Sequence, residues 1–202
     1  MIPNVLQRVR DEGHTVFERG CYNVNIVGVR SPPGEVNEFD DDLHVVYKDF
    51  RGQWIDLCFS CTTDPGLYWL KNPGRRAGTA ILKPGQYRGA YAFGLHRGRY
   101  TALVQRKPVT VYRDRNRDAV LDMDPHTATE GIYGINIHHA GHDSHRVDRW
   151  SAGCTVMGNL ADWEMFMSVI RKSAEIYGDT FTYTLIDKFC AGCGCSPCDC
   201  DD

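Results

Sequence analysis

Thr79-Ala-Ile-Leu-Lys-Pro-Gly-Gln-Tyr-Arg-Gly-Ala-Tyr-Ala-Phe-Gly-Leu-His-Arg-Gly-Arg-Tyr-Thr-Ala-Leu-Val-Gln105 is the stretch that decides the fold. Within it Thr79–Leu82, Tyr87–Leu95 and Tyr100–Gln105 read as strands, and Pro84-Gly85 and Arg97-Gly98 read as the turns between them. Proline presets φ and glycine tolerates positive φ, so these pairs sit where a chain must reverse. Short strands punctuated this closely are the pattern of a β-sandwich or barrel.

The same texture extends outward. Tyr22–Arg30 alternates apolar and polar residues and stops at Ser31-Pro32-Pro33-Gly34. The runs Leu43–Tyr47 and Trp54–Cys61 flank Lys48-Asp-Phe-Arg-Gly52 and read as a hairpin, and Leu67-Tyr-Trp-Leu70 lies between turns at Thr62–Gly66 and Asn72–Gly74. At least eight strand candidates precede His138. In the second half one helix is predicted: Asn159 caps it, Leu160, Trp163, Phe166, Met167, Ile170 and Ala174 recur at helical spacing, and Gly178 ends it. That stripe reads as core packing, and Phe181–Ile186 then returns to alternation. Residues 1–20 predict a short helix carrying Val5, Leu6 and Val9, broken at Gly13 and ended by Gly20.

The expectation is a mainly β protein: one sandwich or barrel domain over residues 20–187 with one packing helix near its C-terminal end, an N-terminal extension over 1–20 and a cysteine-rich tail over 188–202. At 202 residues and 42% hydrophobic, the chain suffices for one domain with a real core and is cramped for two. A net charge of −3 offers no basic stripe for nucleic acid, and Arg75, Arg76, Arg88, Arg97 and Arg99 read as solvated loop charges. No apolar run approaches the roughly 20 residues of a membrane span. Met1-Ile2-Pro3-Asn4 leads into charged residues and not an apolar signal segment, so the expected place of synthesis is a cytoplasm.

The chemistry is expected in Gly134-Ile-Asn-Ile-His-His-Ala140 and Trp150-Ser-Ala-Gly-Cys-Thr-Val-Met157. A β-branched approach delivers His138, and a Ser-x-Gly-Cys turn then presents a thiol among small residues. A thiol becomes a strong nucleophile only with a base in hydrogen-bond reach and amides to hold the oxyanion, and this pattern supplies candidates for each.

Residues 131–157 resemble the YkuD-type L,D-transpeptidases, cysteine enzymes of peptidoglycan stem peptides whose motif is a strand histidine followed by Ser/Thr-His-Gly-Cys. The resemblance implies Cys154 as nucleophile, His138 as its base, the amides of Gly153 and Cys154 as oxyanion donors and Ser151 as supporting hydroxyl. His139 and Asn136 are further candidates for support, and no cofactor is implied. The chain departs from the family pattern: Ala152 stands at the family's second histidine, Val156 at its arginine, and the interval between His138 and Ser151 is shorter. The Ser-Ala-Gly-Cys form is similar to variants of phage and virus genomes. That implies an endolysin-like, wall-degrading hydrolase that reaches the cell wall after release or as a virion component.

Two other classes compete. His138, His139, His142 and His145, with His126 and Asp143, permit a zinc-dependent peptidase, although Gly134, Gly141 and the β-branched approach argue against the helix that their spacing would need. Loss of the second histidine also permits a noncatalytic wall-binding or virion protein. Elsewhere Asp114, Asn116, Asp118 and Asp122 place oxygen ligands at calcium-loop spacing, with Ala119 and Pro125 at positions that a calcium loop gives to glycine and glutamate. Cys190, Cys193, Cys195, Cys198 and Cys200 form a candidate structural zinc tract. Cys58 and Cys61, three apart on a strand, should diverge. Asp40-Asp41-Asp42, His96 and Thr62-Thr63-Asp64 are weaker candidates for lining a cleft, with surface or turn roles expected first.

Overall fold

A computed structural model describes residues 1–32 and 36–188. The chain is mainly β, 38% strand against 18% helix. In chain order the elements are α1 (Asn4–Asp11), β1 (Asn25–Arg30), β2 (Asp41–Lys48), β3 (Trp54–Thr62), α2 (Leu67–Lys71), β4 (Thr79–Leu82), β5 (Gly85–His96), β6 (Tyr100–Gln105), β7 (Val109–Asp114), a 3₁₀ turn (Pro125–Thr127), β8 (Thr129–Gly131), β9 (Ile137–His139), β10 (Thr155–Met157), α3 (Leu160–Tyr177) and β11 (Thr180–Asp187). Eight strands close a barrel in the order β1-β11-β5-β6-β9-β10-β3-β2, and β4-β7-β8 form a separate sheet.

Local chemistry explains the turns. Between β2 and β3 the Asp49 carboxylate accepts the amides of Arg51 and Gln53 at 2.9 and 2.8 Å, an Asx turn that fixes the register Lys48↔Trp54. Leu67–Leu70, apolar and bracketed by turns, folds as the single helical turn α2 and buries Leu70. At α3 the Asn159 side chain accepts the amides of Ala161 and Asp162, and Gly178 at φ +86° ends the helix. Trp163, Phe166, Met167 and Ile170 of α3 then join the barrel core, with Phe166 edge-on to Phe59.

Strand β1 is buried along its whole length because both faces are covered. Ile26 faces the barrel interior, while Val27 and Val29 meet Val5, Leu6 and Val9 of α1. The chain between α1 and β1 is pinned by Asn25, whose side chain bonds both the amide and the carbonyl of Phe17. Closure depends on a pairing between the ends of the domain: β1 runs parallel to β11, with Ile26 opposite Tyr183.

The barrel is tied to the smaller sheet by Arg30, which donates to Leu82 O of β4 at 2.9 Å and pairs with Asp64 at 2.9 Å. Beside it the Asp41 carboxyl accepts the amides of Ser31 and Thr63 and the Thr63 hydroxyl. Burial, with Asp64 adjacent, raises this carboxyl to about 7. Asp41, Thr62 and Thr63 are buried and brace the fold. No helix among the described residues is long and apolar enough to cross a membrane.

Candidate active site

Strands β9 and β10 are parallel neighbours, with Ile137 opposite Thr155 and His138 opposite Val156. Ile137 and Met157 enter the barrel core, so the alternate residues His138 and Val156 take the opposite face. Cys154 extends that row by two residues and packs with Val156 and Ala140. It sits beside Asn136, whose amide reaches Sγ at 3.4 Å. In ideal strands a spacing of about 4.8 Å and two residue steps of about 3.3 Å separate such diagonal Cα atoms by roughly 8 Å.

The imidazole is held from one side. His138 Nδ1 lies 3.0 Å from the carbonyl oxygen of His139, which can only accept, so the proton belongs on Nδ1 and Nε2 is the basic nitrogen. Nε2 is buried and has no hydrogen-bond partner among the described residues. Tyr100 donates to the same carbonyl at 3.0 Å and touches Nδ1 at 3.2 Å. The His96 ring stacks on His138 with centroids 3.9 Å apart, and Asn136 Nδ2 meets His96 Nδ1 at 3.2 Å. His139 is anchored through Nδ1 to Gly141 O and lies between Tyr100 and Trp163.

The thiol rests elsewhere: Cys154 Sγ donates to Gly134 O at 3.4 Å, and the residue is 8% exposed. Burial raises its pKa, while the Asn136 amide and the Arg97 charge act in the opposite direction. Burial and the neighbouring His96 lower His138 to about 3, and burial lowers His96 to about 4. The resting pair is therefore neutral thiol and neutral imidazole.

The turn before the thiol is closed by its own side chain. Ser151 Oγ accepts the Gly153 amide at 3.1 Å and donates to Cys154 O at 2.8 Å. Gly153 stands at φ +116°, and a Cβ there would lie 2.2 Å from Ala80 O, so only glycine fits. Its amide, expected to face an oxyanion, is taken by Ser151. Ala152 lines a pocket of about 180 Å³ together with Trp69, Arg75, Arg113 and Tyr133. The Arg113 guanidinium stacks over Tyr133 at 4.3 Å, which makes this wall cationic and aromatic.

The other predicted sites fare differently. The histidine cluster of the zinc-peptidase reading does not assemble: His138 is stacked and buried, His139 bonds Gly141 O, and His126, His142, Asp143 and His145 are exposed. His145 comes no nearer to Asp143 than 4.0 Å, because a loop and not a helix carries these residues. In the calcium-type loop, Asn116 donates to Asp122 at 2.7 Å and accepts the Asp118 amide, Asp118 accepts the Val120 amide, and Asp114 accepts the Asp122 amide. These oxygens serve the loop's own turns and do not converge on one point. Cys61 is buried in the barrel and Cys58 is exposed on the other face. Asp40 lines a second pocket of about 350 Å³ with Asp143, His145 and Asp162. The tail cysteines Cys190 to Cys200 lie outside the described residues.

Tyr100 was not legible as a site residue, since nothing in its strand marks it apart from core aromatics. His96 was legible only as a possible cleft residue, and its stacking on His138 depends on β5 and β9 both neighbouring β6. Comparison with known proteins finds no family model, curated protein or solved structure that matches this chain.

Proposed function

We propose that this protein is a cysteine acyltransferase of peptidoglycan stem peptides, resembling the YkuD-type enzymes, with Cys154 as nucleophile and His138 as base. The observation that carries the reading is the row along β9 and β10: a thiol at the tip of the turn before β10, two positions from an imidazole whose Nδ1 is fixed by His139 O and whose Nε2 has no partner among the described residues. The thiol rotates from Gly134 O toward Nε2 and gives it the proton. Sγ then attacks the substrate carbonyl, the amine leaves with the proton from Nε2, and a thioester remains on Cys154. Water or a second amine resolves the thioester, giving hydrolysis or transfer. Arg75 and Arg113 suit the carboxylate of a stem peptide. Action at the wall, after release or as part of a virion, belongs to the same proposal.

The test is a muropeptide digest of purified sacculi with the natural chain, Cys154→Ala and His138→Gln, with mass spectrometry for a thioester on Cys154. Products from the natural chain alone support the mechanism, and equal products with Cys154→Ala end it. A second reading, a noncatalytic wall binder, is favoured by the thiol's engagement with Gly134 O and Asn136 N and by burial of both side chains. Sacculus sedimentation with bound protein and no products selects that reading.

A further inference from the structure

On the outer face of the β2–β3 hairpin stands a second thiol and imidazole. His44 and Cys58 are direct partners across the antiparallel pair, and Asp42 lies two residues before His44 on the same face. One ligand atom from each of the three lies within 4.8 Å of the others. The Cys58 Sγ to His44 Nε2 distance is 3.6 Å. Zinc bonds sulfur at about 2.3 Å and imidazole nitrogen at about 2.05 Å, and a tetrahedral angle then separates the two donors by roughly 3.6 Å. The pair therefore already stands at ligand spacing. His44 Nδ1 is held by Asp56 Oδ1 at 2.8 Å, which aims Nε2 at the thiol. A carboxylate on the far nitrogen is the usual support of a metal-bound histidine.

We propose that Asp42, His44 and Cys58 bind a divalent metal ion of the zinc class, with Asp56 as the orienting carboxylate. One sulfur, one nitrogen and one oxygen donor suit zinc and do not suit calcium or magnesium, which take oxygen alone. On binding, the Cys58 thiol releases its proton to water and the thiolate bonds the ion, so thiolate and Asp42 carboxylate together balance its two charges. Cys58 is exposed, which leaves the fourth position to water and makes the ion exchangeable.

Thiols in general compete for soft metals and the tail carries five, so the test reads Cys58 alone: alkylation of the full chain by iodoacetamide, with and without zinc, followed by peptide mass mapping. At a zinc concentration ten times the dissociation constant, Cys58 is expected to react about tenfold more slowly. His44→Ala and Asp42→Asn each remove that protection. Asp56→Asn raises the zinc concentration needed by roughly ten- to a hundredfold. Buried Cys61 is the internal fold control, and where His44→Ala makes it reactive, His44→Gln replaces that variant. With the five tail cysteines changed to serine, cobalt gives a sulfur-to-metal charge-transfer band that Cys58→Ser abolishes. An alkylation rate at Cys58 indifferent to zinc overturns the proposal, as does protection that survives both His44 and Asp42 substitutions.

Discussion

His138 stands on β9 and Cys154 just before its parallel neighbour β10, two positions apart along one face and both buried. Cys58 and His44 face each other directly across an antiparallel pair, with Sγ 3.6 Å from Nε2 and the thiol exposed. By distance alone the second pair is the better thiol–imidazole couple. It also has the carboxylate that the first lacks, since a backbone carbonyl orients His138 while Asp56 orients His44. Yet Cys58 lies within strand β3, whereas Cys154 ends a tight turn whose Ala152 lines a pocket with arginine and aromatic side chains. Proximity favours metal capture. Acyl transfer also requires a bound substrate, and we assign it to Cys154 on the strength of the turn and the pocket that the turn adjoins.

The hardest test of this division exchanges the two thiols. Cys154→Ala is expected to lower wall-peptide cleavage at least about a thousandfold, and Cys58→Ser to leave it within about twofold, both measured by release of muropeptides. Loss of cleavage in Cys58→Ser with retention in Cys154→Ala would reverse the assignment. Next in size is Gly153→Ala. The added methyl meets Ala80 O and the backbone is held at positive φ, so a loss of about 3 kcal/mol or more is expected from urea unfolding. A change under about 0.5 kcal/mol would mean that the turn is not held as described.

Alkylation kinetics compare the pairs in one experiment. In metal-free, folded protein at pH 8, iodoacetamide is expected to label exposed Cys58 at least about tenfold faster than buried Cys154, whose thiol pKa is raised. Equal rates would show that Cys154 is open to solvent.

The smallest effect is the pH dependence of stability. His138 has its ordinary value of 6.5 lowered to about 3 in the fold, so between these values the unfolded chain binds a proton that the folded chain refuses. Its contribution therefore falls as pH drops below 6.5. His96, lowered to about 4, acts in the same direction. Asp41, raised from 3.8 to about 7, acts in reverse and loses its contribution as pH rises through that window. The difference in urea midpoint between pH 7 and pH 5 is expected to shrink in His138→Gln, and an unchanged difference would place the imidazole in water.

The mainly β class and the one long C-terminal helix were legible because alternation and helical spacing are local signals, and Asn159 and Gly178 mark both ends of α3. The hairpin at Lys48–Gly52 was legible from its turn residues. The separate β4-β7-β8 sheet was not, because alternation names a strand's two faces without naming its neighbour. Nor was α2, a single turn too short to show a period. At the site, the histidine strand and the Ser-x-Gly-Cys turn could be read from residue types. Tyr100, the stacked His96 and the Asp42-His44-Cys58 group could not, since each comes from register between strands that the sequence leaves unpaired.

By itself, then, the sequence determined most of the segments that extend, the two longer ones that coil, and the residues that carry reactive groups, for these follow from side-chain shape and from spacing along a single segment. Only the tertiary structure decided that β1 closes on β11, that the Gly153 amide is taken by Ser151, and that His44 stands opposite Cys58. The physical reason is common to all three. Hydrogen-bond register and burial arise between segments, and they decide which groups meet and which carry a proton.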